Sequence, residues 1–456
     1  MNEQGKSGTY TLLTYGCQMN EHDSETIAGI LKEMGYEEAP SLEESDLILL
    51  NTCSIRENAV EKIFGKVGDL KRLKYTNPEL LIGICGCLPQ HEGAVEKIRR
   101  RAPHVDLVFG THNLYRLPAL IAKARDEGQA VVEVWESEGE VVENLPIRRA
   151  EGLKAYVTIM YGCNNFCAYC VVPYTRGRER SRRPEDIVEE VKRLGAGGYK
   201  EITLLGQNVN SYGKDAAGQP DPAPGTSAGT DFAGLLELLD PVDGIERIRY
   251  MTSHPRDFHQ RLIDTIARSR KVCEHFHLPV QAGSNEVLRW MNRGYTRESY
   301  LDLVQRVREK IPEASVTTDI IVGFPGETEE HFEETLDLLR RAEFDAAYTF
   351  MFSPRKGTPA AGLPGQHEQA VKKSRLQRLM ALQNEISLRK NNTLVGRELE
   401  VLVEGRSKND PNVLSGRTRT NKLVLLRADD RLVGKLVPVR IREARTWTLH
   451  GEASSV

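Results

Sequence analysis

Gly162-Cys163-Asn164-Asn165-Phe166-Cys167-Ala168-Tyr169-Cys170 is the stretch of sequence that decides the fold of the central part of the chain. Its three cysteines are spaced Cys-x3-Cys-x2-Cys and follow the apolar run 156–161, which predicts a buried strand leading into a loop. Short loops of this kind wrap an iron-sulfur cluster so that each thiolate binds its own iron. Because no fourth cysteine lies nearby, one iron would stay open for a substrate. The stretch therefore predicts a catalytic metal centre.

A structural zinc site is the alternative for the same three thiols. Zinc prefers four ligands, and a zinc knuckle would place the fourth Cys or His at short spacing. His254 and Cys273 are possible fourth ligands, but both lie far along the chain. The spacing therefore favours an iron-sulfur cluster over zinc.

The length and composition are those of a multidomain protein without a membrane segment. A chain of 456 residues is long enough for two to four domains, each with its own core. Its hydrophobic content is 39% and its charged content 28%, and it shows neither a long apolar stretch nor a signal-peptide pattern at its start. We therefore expect a cytoplasmic protein, in which eight cysteines are metal ligands more readily than disulfides.

The N-terminal part, residues 8–128, alternates short apolar strands with amphipathic helices. Such repeated strand-helix units predict an open parallel α/β sheet. The predicted strands are 9–15, 46–51, 80–85 and 105–109. The predicted helices are 23–34, with Asp23 and Ser24 as capping residues, then 57–73, 92–101 and 114–126.

Four further cysteines, Cys17, Cys53, Cys85 and Cys87, lie at the carboxyl ends of three of these strands. Ligands bind at that edge of open α/β sheets, because the loops there converge. Cysteines that merely pack as small hydrophobic groups would be expected inside the strands instead. The placement predicts a second cluster held by Cys17, Cys53 and Cys87. Cys85 is a possible substitute for Cys87, since side chains two residues apart point the same way on a strand.

The central part, residues 149–385, is predicted to form about six strands with helices between them, an incomplete (β/α)6 barrel. The C-terminal part, residues 387–452, is predicted to form a small β-barrel from about five short strands. From residue 387 to the end the sequence has 14 Lys and Arg against 8 Asp and Glu. This excess of positive charge favours an anionic partner, although an ordinary solvated surface could carry it as well.

The Cys-x3-Cys-x2-Cys spacing, with the aromatic Tyr169 before the last cysteine, resembles the radical S-adenosylmethionine (SAM) superfamily. Over nearly the whole chain the sequence is similar to the methylthiotransferases, which combine an N-terminal methylthiotransferase domain, a radical SAM barrel and a C-terminal TRAM domain. The similarity is strongest in residues 14–20, 163–167, 172–179 and 206–212. It implies two 4Fe-4S clusters, bound by Cys163, Cys167 and Cys170 and by Cys17, Cys53 and Cys87.

The same resemblance implies a SAM site at the strand ends of the barrel. Gln207 and Asn208 are suited to the ammonium and carboxylate groups of SAM, and Gln281 and Ser284 to its ribose. Gly323 and Gly326 would let the backbone approach the adenine, because glycine has no Cβ. Tyr169 is assigned to the cofactor as well.

The implied reaction is 2-methylthiolation of N6-isopentenyladenosine at position 37 of tRNA, which needs a radical because the C2 hydrogen of adenine is not acidic. We expect Arg176, Arg178, Arg180, Arg182 and Arg183 to contact RNA, or else to form a solvated helix entrance. The turn 416–422, which resembles the TRAM signature, is expected to offer Arg and Lys to phosphates.

Two other functions fit parts of the pattern. Relatives within the family that act on threonylcarbamoyl-adenosine or on a ribosomal-protein aspartate share both cysteine triads, and only residues 164–165 and 207–212 argue against them. A non-catalytic RNA-binding or iron-sulfur carrier protein would not need the SAM-type loops. The expected partners are tRNA, an electron donor and iron-sulfur assembly or sulfur-donor proteins, and the enzyme is expected to be a monomer.

Overall fold

The computed structural model describes residues 8–53, 57–135, 137, 139, 141–149, 152–215 and 229–454. These residues form an N-terminal parallel sheet, a central half-barrel and a closed C-terminal barrel. None of the helices within these ranges combines the length and the apolar character that a membrane crossing requires.

The N-terminal part is a six-stranded parallel sheet with the strand order β2-β1-β3-β4-β5-β6. Its strands are β1 Gly8–Thr14, β2 Tyr36–Glu38, β3 Leu47–Thr52, β4 Leu81–Gly86, β5 Leu107–Phe109 and β6 Val131–Glu133. Its helices are α1 Gln18–Glu33, α2 Glu57–Leu70, α3 Leu73–Thr76, α4 Ala94–Arg101 and α5 Leu117–Glu127. Buried side chains on the two faces of the sheet form two separate cores, as expected for helices on both sides.

The open parallel sheet is confirmed, with three differences from the prediction. α1 begins at Gln18, before the predicted start at Asp23. Asp23 and Ser24 lie inside the helix and make tertiary contacts instead of capping its N-terminus. The Ser24 hydroxyl lies 2.7 Å from the Thr14 hydroxyl. The short strand β2 was not predicted, and β6 pairs with β5, so the sheet extends beyond the predicted limit at residue 128.

The central part is the predicted incomplete barrel of six parallel strands, in the order β7-β10-β11-β12-β13-β14. The six barrel strands are β7 Lys154–Thr158, β10 Glu201–Leu205, β11 Arg247–Tyr250, β12 His275–His277, β13 Ser315–Val322 and β14 Ala346–Met351. β8 Met160–Tyr161 and β9 Arg180–Ser181 form a separate antiparallel pair. The helices of the central part are α6 Val172–Thr175, α7 Pro184–Ala196, α8 Phe232–Leu239, α9 Gln260–Arg268, α10 Asn285–Trp290, α11 Arg297–Lys310, α12 Glu329–Ala342 and α13 Gln369–Asn392.

The half-barrel is joined in the middle by one parallel bridge between Ile248 and Val272, and β7 and β14 are its two edge strands. Outward-facing side chains such as Leu204 and Val316 pack under the helices in a single core. Because side chains alternate along a strand, Thr317 points to the opposite side, into the barrel lumen. The segment 215–231, between β10 and α8, is rich in Gly, Pro and Ala, and most of it lies outside the described residues.

The C-terminal part is a closed five-stranded barrel with the order β15-β16-β17-β19-β18, which confirms the predicted small β-barrel. Its strands are β15 Glu398–Arg406, β16 Leu414–Thr418, β17 Leu423–Leu426, β18 Leu436–Ala444 and β19 Thr448–Ala453. Closure removes free strand edges, and the interior is filled by buried aliphatic side chains from all five strands.

The C-terminal barrel packs on the amino-terminal ends of the half-barrel strands. Arg247, which is fully buried, donates from its guanidinium to the Arg417 carbonyl at 2.7 Å and to the Glu400 carboxylate at 2.8 Å. Arg249 donates to the carbonyls of Thr418 and Arg419. The C-terminal barrel therefore closes the end of the half-barrel opposite to the cysteine loop.

This packing corrects the expectation that the turn 416–422 offers its charges to phosphates. Arg419 donates to both carboxylate oxygens of Glu274, at 2.7 to 3.0 Å, and to two backbone carbonyls of the half-barrel. Lys422 forms an ion pair with Asp345 at 2.9 Å. Both side chains hold the two domains together. Of the three cations of this turn, Arg417 and Lys422 line an open cleft, and Lys422 is already paired.

Candidate metal centres

The first cysteine loop leaves β8 through a turn that only glycine accommodates. Gly162 has φ +73°, and a Cβ on it would lie 1.9 Å from the Arg178 carbonyl oxygen. The Cys163 amide donates to the Gly177 carbonyl at 3.0 Å, so the loop is held against the segment that follows α6. The tight turn directs the three cysteines away from the strand.

Polar side chains from the barrel loops hold this cysteine loop in place. The Arg256 guanidinium donates to the side-chain oxygen of Asn165, and the Asn292 amide donates to the Phe166 carbonyl at 3.0 Å. The buried Arg293 donates to the Cys167 Sγ at 3.2 Å and to the Pro279 carbonyl at 2.7 Å. A cation beside a thiolate offsets its charge, so Arg293 favours the ionised ligand that iron requires.

Burial has a strong effect on the other two thiols of the loop. It raises the pKa of Cys163 to about 11 and that of Cys170 to about 12. The charge of Cys167 raises both values further, which places the three thiols within electrostatic reach of one another. Without a metal, Cys163 and Cys170 hold their protons at neutral pH, and a bound cluster would have to displace these protons.

The second triad lies at the carboxyl ends of three adjacent strands, β1, β3 and β4. Cys17 is the residue immediately before α1, Cys53 follows β3 directly, and Cys87 stands in the turn after β4. Burial raises the pKa of Cys87 to about 11, the guanidinium of Arg176 lowers it, and the charges of Cys53 and Cys17 raise it. The three predicted residues are therefore brought together at one edge of the sheet.

Buried amides fix the loops of the second triad. The Asn20 side chain donates to Asn51 Oδ1 at 3.1 Å and to the Thr52 carbonyl at 3.3 Å, and Asn51 donates back to the Asn20 carbonyl. The Cys17 thiol donates to Asn20 Oδ1 at 3.4 Å. These bonds connect the start of α1 with the end of β3, so two of the cysteine positions are set by one network.

Cys85 is distinguished from Cys87 by the turn at Gly86. Cys85 is the fifth residue of β4 and is buried in the core formed with α1 and α5. Gly86 has φ +90°, so the chain is no longer extended, and Cys87 leaves the face on which Cys85 lies. The geometry favours Cys87 as the ligand and gives Cys85 a packing role.

Arg176 connects the two centres. It follows α6, which begins two residues after Cys170, and its guanidinium donates to Asp23 of α1 at 2.7 Å. The thiols of Cys17 and Cys87 lie close enough to raise the pKa of Arg176, as does Asp23. A segment that starts at the first triad therefore places a buried cation beside the second.

The expected RNA-binding arginines have different roles in the structure. Arg176 is buried in the pair with Asp23, and the buried Arg182 forms ion pairs with Glu190 and Glu143 at 2.7 and 2.8 Å. Arg180 donates to the Gly139 carbonyl, and Arg183 pairs with Asp186 at 2.6 Å. Arg178 is exposed and stacks over the Phe166 ring at 4.9 Å. Burial in ion pairs makes the expectation of RNA contacts wrong for Arg176 and Arg182.

The residues predicted to bind SAM lie in the loops at the carboxyl ends of the half-barrel strands. Gln207 is the second residue after β10, and its buried side-chain oxygen has no hydrogen-bond partner among the described residues. Asn208 is occupied, because it donates to Asp257 at 2.8 Å and accepts from the His254 amide. Gln281 is buried with φ +74°, and Ser284 is the buried residue before α10.

The two glycines after β13 have packing reasons of their own. Both have positive φ, and a Cβ on Gly323 would lie 2.5 Å from the Lys372 side chain, whereas one on Gly326 would meet the Trp290 ring at 3.3 Å. Tyr169 accepts a hydrogen bond from Arg293 at 3.3 Å, beside the first triad. Of the predicted SAM residues, the unpaired oxygen of Gln207 points most directly to a missing ligand.

The donor sets fit iron-sulfur clusters. Each triad consists of thiols alone, and thiolates are the usual ligands of such clusters. In the described ranges no three His, Cys, Asp or Glu side chains are grouped closely enough to hold a single metal ion. The sequence did not reveal Arg293, Asn292 or the Arg176–Asp23 pair, because their roles depend on contacts between distant segments.

Models of three known families match the chain in order. Residues 9–110 match the uncharacterized protein family UPF0004, residues 157–339 the radical SAM superfamily and residues 392–454 the TRAM domain. These segments coincide with the N-terminal sheet, the half-barrel and the C-terminal barrel.

Several curated proteins are similar over almost the full chain. The tRNA-2-methylthio-N(6)-dimethylallyladenosine synthase of Moorella thermoacetica is 58% identical over 444 residues, which are 97% of this chain and 98% of the relative. Proteins of the same name from Pelotomaculum thermopropionicum and Carboxydothermus hydrogenoformans are 56% and 55% identical, again over 97% of this chain and 97% and 98% of theirs.

Solved structures share the fold at low identity. The radical S-adenosylmethionine methyltransferase TsrM from Kitasatospora setae is 15% identical, with a TM-score of 0.56, over 78% of this chain and 75% of its own. The cobalamin-dependent S-adenosylmethionine radical enzyme OxsB gives a TM-score of 0.51 over 83% of this chain and 56% of its own. At such identity the likeness concerns the architecture alone.

Proposed function

Since the chain belongs to the family of tRNA-2-methylthio-N(6)-dimethylallyladenosine synthases, we propose that it adds a methylthio group to C2 of N6-isopentenyladenosine at position 37 of tRNA. The identity of 58% over nearly the full chain confirms the resemblance found in the motifs. The single observation that carries the proposal is the convergence of Cys17, Cys53 and Cys87 at one sheet edge, next to the segment that follows the radical SAM loop.

The cofactors are SAM and 4Fe-4S clusters. When they are bound, they supply a carbon-centred radical able to activate a C–H bond, and a site from which sulfur is donated. The protein contributes the two thiol triads as cluster ligands, and Gly162 and Arg293 orient the first of them. The buried Arg176, paired with Asp23, places a cation beside the second.

SAM binding is assigned to the strand-end loops of the half-barrel. The unpaired buried oxygen of Gln207 is suited to the SAM ammonium group, and Gln281 and Ser284 to the ribose hydroxyls. Gly323, Gly326 and Tyr169 would lie along the same site. Asn208 acts indirectly, because its bonds to Asp257 and the His254 amide set the conformation of the loop that carries Gln207.

The tRNA is the macromolecular partner, and the C-terminal barrel supports its binding through cations that do not serve the domain interface. Exposed cations on this barrel include Lys408, Arg427, Lys435 and Arg440. Phosphate contacts by Lys and Arg contribute affinity that falls with salt. We further infer that the enzyme works in the cytoplasm as a monomer, and that an electron donor and iron-sulfur assembly or sulfur-donor proteins act with it.

The direct test is nucleoside analysis of tRNA treated with the enzyme. The anaerobically reconstituted protein, with SAM and a reductant, would be incubated with tRNA carrying N6-isopentenyladenosine, and digested nucleosides would be separated by mass. We expect the 2-methylthio derivative of that nucleoside. Matched reactions with tRNA carrying threonylcarbamoyl-adenosine, and with ribosomal protein, should give no product. Methylthio product only in one of those reactions would contradict the assigned substrate.

A further inference from the structure

A cleft outside both cysteine centres runs between edge strand β14 and the C-terminal barrel. Its volume is about 410 Å³, and it is lined by residues of β12, β13 and β14 on one side and of the 417–423 and 446–449 segments on the other. Among the described strands, β14 is an edge strand of its sheet. Thr317, whose side chain points into the lumen, is one of the lining residues.

Three large aromatic side chains that line the cleft are exposed. Tyr348 is 54% exposed, Phe350 is 37% exposed and Trp447, from the opposite wall, is 58% exposed. The chain contains only three tryptophans in total, and burial of such rings normally stabilises a protein. The Tyr348 ring is steadied by an edge contact with the His277 ring, with centroids 5.8 Å apart. Two walls therefore present aromatic surface to the same space.

The charges around the cleft are compatible with an anionic ligand. Its one acidic side chain, Asp345, is buried and already neutralised by Lys390 at 2.6 Å and Lys422 at 2.9 Å. Arg417 also lines the cleft, and it is held by a hydrogen bond to the Asn421 carbonyl at 2.9 Å. Its Nε also lies 3.9 Å from Glu404 Oε1, a carboxylate that does not line the cleft, so the guanidinium that a ligand meets is positioned and partly paired.

We propose that this cleft binds an unpaired nucleotide of the tRNA anticodon loop. The base stacks on Tyr348 or Trp447, and Arg417 meets the backbone phosphate. Single-stranded loops are recognised in this way, because splayed bases stack on aromatic side chains while cations contact the backbone. The inference rests on the proposed function, since tRNA is then the partner and edge strand β14 runs from the C-terminal barrel towards the carboxyl ends that face the cysteine loop.

The aromatic rings distinguish this site from a simple phosphate patch. Phosphate contacts alone would need exposed Lys or Arg and would tolerate loss of the rings. A protein partner would also use exposed aromatic rings, but its binding would leave the affinity for tRNA unchanged when the rings are removed. The response of tRNA binding to ring removal therefore distinguishes base stacking from both alternatives.

The experiment measures the dissociation constant of full-length, reconstituted enzyme for isopentenylated tRNA by filter binding. Tyr348→Ala and Trp447→Ala should each weaken binding by roughly fivefold to a hundredfold, the effect of losing one base–aromatic stack. Tyr348→Phe should retain the affinity, because the ring stays. Tyr75→Ala is the matched control, since Tyr75 is 78% exposed in the N-terminal domain and far from the cleft in the fold.

Tryptophan fluorescence gives an independent reading. Addition of tRNA should quench the emission of the wild type, and Trp447→Phe should lose most of that quench while its affinity stays close to the wild-type value. Unchanged dissociation constants for both Ala variants, with a quench that persists in Trp447→Phe, would overturn the proposal. If methylthiolated tRNA is still formed, only the cleft assignment fails. If ring removal weakens tRNA binding but no methylthio product is ever found, the proposed reaction fails and the RNA site stands.

Discussion

The Arg176–Asp23 pair is the residue-level link between the two thiol triads. Its guanidinium is buried, lies 2.7 Å from the Asp23 carboxylate and is within electrostatic reach of Cys17 and Cys87. A fixed cation in a poorly solvated site stabilises nearby negative charge more strongly than it would in water. Arg176 therefore acts as a positioning residue for the second cluster.

Replacing this cation should change the second cluster without removing its ligands. We expect Arg176→Met to shift the reduction potential of that cluster by roughly 60 mV to more negative values, a tenfold change in its redox equilibrium. The reduced cluster carries the greater negative charge and loses more stabilisation. Redox titration followed by electron paramagnetic resonance is the measurement.

Two further variants complete this test. Arg176→Lys keeps the positive charge, so its reduction potential should stay close to the wild-type value. Arg178→Met removes an exposed arginine two residues away and should leave the potential unchanged. A potential that is the same in Arg176→Met as in the wild type would show that the cation does not act on the cluster.

The cysteines show how far single residues could be predicted from the sequence. Placement after strands predicted that Cys17, Cys53 and Cys87 would meet, because parallel strands end at one edge. The same reasoning left Cys85 open, since only the backbone of Gly86, with φ +90°, separates its direction from that of Cys87. Arg176 and Arg419 were predicted to face RNA, but both are held by carboxylates from other domains, which local sequence cannot show.

The turn after β4 is the element on which the second triad depends most. A Cβ on Gly86 would lie 2.4 Å from Asn51 Oδ1 and 2.6 Å from the Thr52 carbonyl oxygen. Both atoms belong to the strand end that leads to Cys53, so an added methyl group would push two cysteine loops apart. The positive φ adds backbone strain for any other residue.

Gly86→Ala should therefore destabilise the metal-free protein by about 1–3 kcal/mol and reduce iron retained at the second site. Chemical denaturation and iron analysis provide the two measurements. Gly65→Ala is the matched control, because Gly65 lies in α2 with open space at its Cβ position, and alanine should raise helix stability by about 0.5–1 kcal/mol. Equal stability of the Gly86→Ala variant and the wild type would contradict the packing described for this turn.

Element boundaries were predicted less well than element types. The helix after β1 begins at Gln18 because Cys17 precedes it in an extended conformation, whereas Asp23 and Ser24, good capping residues by type, bond across the structure. β2 and β6 are three-residue edge strands. A short strand is predicted over 130–134, where β6 lies, whereas the three residues of β2 carry too little periodicity for prediction. β2 and β6 pair with the open edges of β1 and β5.

At the level of the whole molecule, the C-terminal barrel is a structural part of the half-barrel as well as a candidate RNA-binding module. It supplies the backbone carbonyls that satisfy the buried Arg247 and Arg249. Removing it would take these partners away and expose the amino-terminal ends of the half-barrel strands that it covers. Deletion of this barrel is therefore not a clean test of RNA binding, and single changes on its exposed face are preferable.

The contact between the N-terminal sheet and the half-barrel should be sensitive to acid. Burial lowers the pKa of His22 from 6.5 to about 4, and its Nε2 has no hydrogen-bond partner. A group whose folded pKa is depressed binds more protons in the unfolded chain, so its contribution is complete above pH 6.5 and is lost as pH falls towards 4. The loss amounts to about 3 kcal/mol at most.

Thermal unfolding of the cluster-free protein between pH 7 and 4 tests this expectation. His22→Gln should show a smaller fall of the midpoint with decreasing pH than the wild type, because the titrating group is absent. His259→Gln, a change at an exposed histidine, should follow the wild-type curve. Parallel curves for His22→Gln and the wild type would indicate that His22 does not titrate on unfolding.

The division of labour between the two cysteine triads is tested most directly by comparing Cys87→Ala with Cys85→Ala in one assay. Each variant would be reconstituted anaerobically, and its iron content, its cleavage of SAM to 5'-deoxyadenosine and its methylthiolated tRNA product would be measured together. Cys87→Ala should lose about half of the iron and all of the product but still cleave SAM, since the first triad is intact. Cys85→Ala should keep all three, because Cys85 packs in the sheet core. Normal product from Cys87→Ala, or its loss in Cys85→Ala alone, would contradict the assignment of the second cluster.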